Sequence, residues 1–192
     1  MDKLIERITI DHEHILKLLQ AVDYEIKAYD ADNDRTPRLA IIVGALDYLQ
    51  NYPDSFHHPL ESQLMKRLKP RVTDSDLLQS MVEIDQQHDQ IRELTIELVE
   101  TVNAISTDHV VPIKKLVSSY QSYVDLQRAH VQKENRVMIP AMKAYLTSED
   151  LELAEQELLA TPDPLFGKYL WESYEGLYQY LLEADARQET TV

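Results

Sequence analysis

The chain has 192 residues, enough for one compact domain with a substantial core, and hydrophobic residues at 44% argue for a globular fold. With 34 acidic against 19 basic residues its formal charge is −15, which repels phosphate backbones and anionic membrane surfaces, so neither nucleic acid nor membrane is an expected partner. Cysteine is absent, which removes disulfides, iron–sulfur clusters and thiolate catalysis. Any metal must be held by nitrogen and oxygen.

Only 3 glycines occur, and long runs of Leu, Glu, Gln, Lys and Ala with almost no strand-type alternation make the class all-α. The charged, amphipathic opening "MDKLIERITIDHEHILKLL" has no apolar signal core, and no later stretch approaches a membrane span, so a cytoplasmic location is expected. Helix A is expected from about residue 2 to 29, ending in the acidic stretch "DADNDR" at 30–35. Thr36 and Pro37 read as N-cap and first position of helix B, which runs to about 69, with Pro53 and Pro59 bending it. "TDSD" at 73–76 opens helix C to about 105, and helix D follows "STDHVVP" (106–112) to about 145.

Four long amphipathic helices with short connections imply an antiparallel up-down-up-down four-helix bundle. At 100° per residue the inward stripe of A takes Ile5, Ile8, Ile15, Leu16, Leu19 and Ile26. That of D takes Leu116, Leu126, Val137 and Ala141. One histidine falls on each of the four stripes: His12, His57, His88 and His130. His14 points away, His58 sits at the flank of its stripe, and His109 falls in a junction.

Measured from the bundle end that they share, the four inward histidines differ in depth by about five residues, roughly 7–8 Å at the rise of an α-helix. Glu61 and Glu134 each follow a histidine by one turn on the same face, in the repeated pattern His…HisxxxGlu. A single inward histidine is most often a hydrogen-bonded core residue. Four of them with two glutamates at one level are a severe burial problem without a cation. The two-fold arrangement suits two metal ions better than one. Iron is the expected metal; zinc suits the same donors but fits paired carboxylates less well. A ferritin-like centre would need Glu-x-x-His on two helices, and the chain offers only Asp85-x-x-His88.

On the segments "DHEHILKLL", "NYPDSFHHPLESQLMKRL", "DQQHDQIREL" and "QRAHVQKENRVMIPAM", the chain resembles the hemerythrin-like (HHE cation-binding) proteins over about residues 1–145. Carried over residue by residue, the resemblance places the family's ligands on His12, His57, Glu61, His88, His130 and Glu134. It implies a non-haem di-iron centre with two carboxylate bridges and an oxygen-derived bridge. Oxygen-carrying hemerythrins have a fifth histidine in a His-x-x-x-His pair on helix C, where this chain has Ile84 and Arg92 four residues either side of His88. Four protein ligands per iron would leave both metals an open position and favour redox chemistry with peroxide, nitric oxide or dioxygen over simple oxygen carriage. The alternative is an iron or dioxygen sensor without turnover. Tyr123, two turns before His130, is a candidate donor to the site, or an ordinary core tyrosine.

The domain reading is therefore a bundle over 1–146 and a C-terminal helical extension over 147–192. "TSED" (147–150) opens a short helix ending near "TPDP" (161–164), and the aromatic stretch 165–184 is expected to pack on the bundle. A dimer contact or a lid are its alternatives, so the chain is expected as a monomer or homodimer.

Overall fold

The structure, a computed structural model, describes residues 3–29, 35–107, 109–157 and 162–189. Those residues form an all-α fold; among them no strand occurs and no helix is long and apolar enough to cross a membrane. The expected turn at 30–34 and the junction at Thr161 lie outside the described residues.

Helix α1 (Lys3–Ile26) continues as a single 3-10 turn to Tyr29. It buries Ile5, Ile8, Ile15, Leu18, Leu19, Val22 and Ile26, a stripe of helical period. Leu16, expected inside, is 37% exposed, and Leu18 and Val22 take the inward places. Helix α2 (Leu39–Tyr52) starts two residues beyond the expected Pro37. Thr36 is not its cap. The backbone N–H of Arg38 instead donates to the buried carboxylate of Glu25 on α1 at 2.8 Å, and that contact between helices fixes where α2 begins.

The α2 rod runs on through a π-helical turn, Pro53–His57, into α3 (His58–Leu68). Helix α4 (Ser75–Ser106) is capped as its sequence suggests, with the Asp74 carboxylate accepting from the Leu77 N–H at 2.8 Å. Helix α5 (Ile113–Lys133) passes through a second π turn, Glu134–Met138, into α6 (Ile139–Tyr145). Each π turn lies just before a proline that cannot donate to the helical ladder, Pro59 and Pro140, and is closed by an i to i−5 bond. The extra residue in a π turn advances the inward face by one. Val137, expected inside, is only partly buried, and Met138 is 1% exposed.

Helix α4 packs on α2 and α5, while α1 packs on α2, α5 and α6. Helix α7 (Ser148–Glu157) is opened by reciprocal bonds between Thr147 and Asp150 and rests on α3. Helix α8 (Glu175–Glu189) rests on α2, where the Tyr174 hydroxyl at its start donates to Asp47 at 2.6 Å. Tyr180 donates to Glu25 at 2.7 Å. The aromatic stretch divides: Tyr174 and Tyr180 are buried, whereas Tyr169 and Trp171 are exposed.

Candidate metal centre

Four helical segments each bring one histidine to a common point in the core. His12 comes from α1, His57 from the last position of the first π turn, His88 from α4 and His130 from α5. Glu61 stands one turn beyond His57 on α3, and Glu134 opens the second π turn one turn beyond His130. All six side chains are at most 5% exposed.

The Nε2 atoms face the two carboxylates. Glu61 lies 3.4 Å from His12, 3.3 Å from His57 and 3.2 Å from His88. Glu134 lies 3.0 Å from His12, 3.2 Å from His130 and 3.6 Å from His88. Two four-residue groups result, His12–His57–Glu61–Glu134 and His88–His130–Glu61–Glu134, each compact enough to hold a metal ion and sharing both glutamates.

The donor atoms fit a cation better than one another. His12 Nε2, His88 Nε2, His130 Nε2, Glu61 Oε2 and Glu134 Oε2 are buried without a properly directed hydrogen bond. Orphaned polar atoms of this kind are costly in a core, and here lone pairs converge on shared points. The electrostatics agree. Burial lowers the His12 and His88 imidazoles, but contacts with Glu134 and Glu61 outweigh it and raise both to about 10. His130 goes the other way, lowered by burial to about 4. Burial raises the two glutamates and the surrounding imidazoles outweigh it, so Glu61 is held well below its ordinary value and Glu134 below it. The carboxylate pair demands positive charge at the centre, which protons on His12 and His88 or metal ions can supply.

The far ring nitrogens are held from outside. His12 Nδ1 meets the Asn135 side-chain oxygen at 2.9 Å, His57 Nδ1 meets Asp11 at 3.4 Å, and His130 Nδ1 meets Gln87 at 3.4 Å. Asp11 is itself fixed by Arg7 Nε at 3.1 Å and the Tyr52 hydroxyl at 3.4 Å, and Arg7 also bonds that hydroxyl. Outer partners of this sort set imidazole tautomer and direction. None of Asp11, Asn135, Gln87 and Tyr52 was singled out by sequence reasoning. Asp11 alone had a signal, its place beside His12.

The expectation for His58 changes, and those for His14 and Tyr123 gain detail. His58 is not an edge residue: it is 4% exposed and stacks on His88 with ring centroids 4.4 Å apart. His14 does point away from the centre, yet it is covered by the C-terminal segment, stacked on Phe166 at 3.9 Å beside Asp163. Tyr123 takes the core role. Its buried hydroxyl bonds Gln127 at 3.1 Å and Thr95, neither of them among the six, and burial pushes its pKa up to about 12.

Fold and site together define a helical protein with a buried histidine–glutamate cluster able to hold metal. The hemerythrin HHE cation-binding domain profile matches residues 3–142, and matches again over 79–159, the span that holds the second His…HisxxxGlu unit. The chain belongs to that family. Comparison with curated proteins and with solved structures gave no significant match.

Proposed function

We propose that this chain is a non-haem di-iron protein that binds or turns over a small oxidant, namely peroxide, nitric oxide or dioxygen. In this reading the helices form an antiparallel up-down-up-down bundle, and His12, His57, Glu61, His88, His130 and Glu134 are the metal ligands. The single observation that carries it is the pair of four-residue groups sharing Glu61 and Glu134. Iron bound there would supply redox-active, Lewis-acidic positions for a small oxidant.

The protein's own residues do the rest. Glu61 and Glu134 reach both pockets and neutralise their charge. Asp11, Asn135 and Gln87 hold three imidazoles by Nδ1 with Nε2 turned inward. Burial of all six side chains excludes bulk water and restricts access to small molecules.

The test is spectroscopic titration of the iron-loaded full chain with azide, peroxide and nitric oxide. Anion charge-transfer bands and catalytic consumption of peroxide or nitric oxide are expected. A stable, reversible dioxygen adduct with no turnover would return the chain to the carrier or sensor class.

A further inference from the structure

Tyr48, Tyr52 and Tyr174 form a run of buried aromatic rings beside the metal centre. Tyr48 and Tyr52 stack with centroids 5.3 Å apart at 26°, and Tyr174 meets Tyr48 edge-on at 5.9 Å. Phenylalanine would fill the same space, whereas each tyrosine brings a hydroxyl that must find an acceptor in the core. Each finds a carboxylate from another part of the chain. Tyr48 donates to Asp163 at 3.1 Å, Tyr52 to Asp11 at 3.4 Å and Tyr174 to Asp47 at 2.6 Å.

The run has an inner and an outer end. Asp11, which accepts from Tyr52, also meets His57 Nδ1 at 3.4 Å. On the other side Tyr52 and Tyr174 line a surface cleft together with Trp171, Pro162, Pro164 and Asn51. Tyr48 stands between them, with burial and then Asp163 raising its phenol, so it is neutral and loses an electron only together with its proton. Asp163 is aimed to take that proton. Its Oδ1 is fixed by the N–H groups of Leu165 and Phe166, both at 2.9 Å, which leaves Oδ2 to face the Tyr48 hydroxyl.

We propose that Tyr48, with Asp163 as its proton acceptor, is a redox-active tyrosine that relays single electrons to the centre from a neutral phenol or hydroquinone in the cleft. The relay rests on the di-iron reading above, with peroxide as the oxidant, and deepens it by naming the reductant. Rings and prolines in the cleft favour an aromatic molecule, and the formal charge of −15 disfavours an anion. Asn51 donates its amide to Asp47 and keeps its side-chain oxygen for a phenolic hydroxyl. In each passage the Tyr48 O–H bond breaks, the proton moves to Asp163 Oδ2, and one electron passes inward through the Tyr52 ring. The phenol then returns one electron through Tyr174, Asp163 gives the proton back to Tyr48, and the phenol's own proton goes to solvent. Two passages, with those two protons, split the O–O bond of one peroxide into two waters and turn two phenols into two phenoxyl radicals.

The experiment mixes the iron-loaded full chain with peroxide, freezes it during turnover and records electron paramagnetic resonance. An organic radical is expected that narrows when the tyrosines are ring-deuterated and vanishes in Tyr48→Phe with iron content unchanged. It should persist in Tyr145→Phe, whose ring is exposed on α6 away from the run. Asp163→Asn keeps the tyrosine and removes the proton acceptor, so the radical should again be lost with iron retained. Added hydroquinone should quench the radical and be oxidised, and Asn51→Trp, which fills the cleft, should slow that oxidation. A radical untouched by Tyr48→Phe, or peroxide consumed with no organic radical, would overturn the relay and leave the di-iron reading standing. Unslowed hydroquinone oxidation in Asn51→Trp would overturn the cleft as the donor site. A chain that binds no iron would overturn both readings.

Discussion

The two His…HisxxxGlu units contribute matching inward donors from unlike surroundings. In the first, His57 is backed by a carboxylate, Asp11, that is itself tied to Arg7 and Tyr52. In the second, His130 is backed by the neutral amide of Gln87, and His88 lies against the ring of His58. The inward donors repeat and their supports do not. A sequence repeat can therefore fix which atoms meet, while contacts between helices decide how firmly each is held and how the two pockets differ.

The largest effect should come from the residues common to both pockets. Glu61→Ala or Glu134→Ala is expected to remove both metals, and with them the stabilisation that ligand binding confers, about 2.7 kcal/mol for each metal at a free metal concentration a hundredfold above Kd. Metal analysis and thermal unfolding with and without metal check this, and His109→Ala, in an exposed junction, should retain full metal content. Loss of one metal only in either glutamate variant would show that the carboxylates are not shared.

Next in size is the pH response, which should have opposite signs in the two states. In the metal-free protein His12 and His88 are raised from 6.5 to about 10. Their contribution to stability is fully present below about 6.5 and is lost as pH rises through about 10. Glu61 and Glu134 are lowered, so theirs is present above about 4.5 and is lost as pH falls through their folded values. The metal-free protein should thus lose stability in mild alkali. Metal needs the imidazoles neutral, and His12 and His88 hold protons up to about 10 in the metal-free protein, so loading near neutral pH should release about two protons per chain and metal affinity should fall as pH is lowered. Thermal scans across pH and calorimetric titration in buffers of different ionisation heat measure both. Identical pH profiles with and without metal would contradict this account.

The outer partners should separate the two units. Asp11→Asn replaces a charge-assisted support and should weaken metal in the His12–His57 pocket by about 10–100-fold. Gln87→Ala removes a neutral support and should cost less at the other pocket. Competitive chelation resolves the two, and equal losses would mean that the supports are equivalent. Smallest, and outside the site, is Tyr180→Phe. It removes a buried donor to Glu25, whose carboxylate keeps the Arg38 N–H. Stability should fall by about 1–2 kcal/mol with metal content unchanged.

Much of this architecture was legible in the sequence. The 3.6-residue period placed His12, His57, His88, His130, Glu61 and Glu134 on inward faces, and the structure brings these six side chains together. The rest depended on contacts that periodicity does not encode. Pro59 signalled a bend, but not a π turn that would bury His58 beside His57. The second π turn likewise moved the core position from Val137 to Met138. Asp11, Asn135 and Gln87 act across helix interfaces, and Glu25 displaced Thr36 as the group that starts α2 by the same kind of contact.

The proposed centre is dinuclear, with Glu61 and Glu134 shared between its two metals. Its most direct test is the iron content of the full chain after anaerobic loading with iron(II) and removal of excess metal, read together with Mössbauer spectra of the oxidised protein. Two irons per chain, magnetically coupled, are expected, and none in Glu134→Ala. One iron per chain, two uncoupled irons, or a Glu134→Ala protein that keeps both would contradict it.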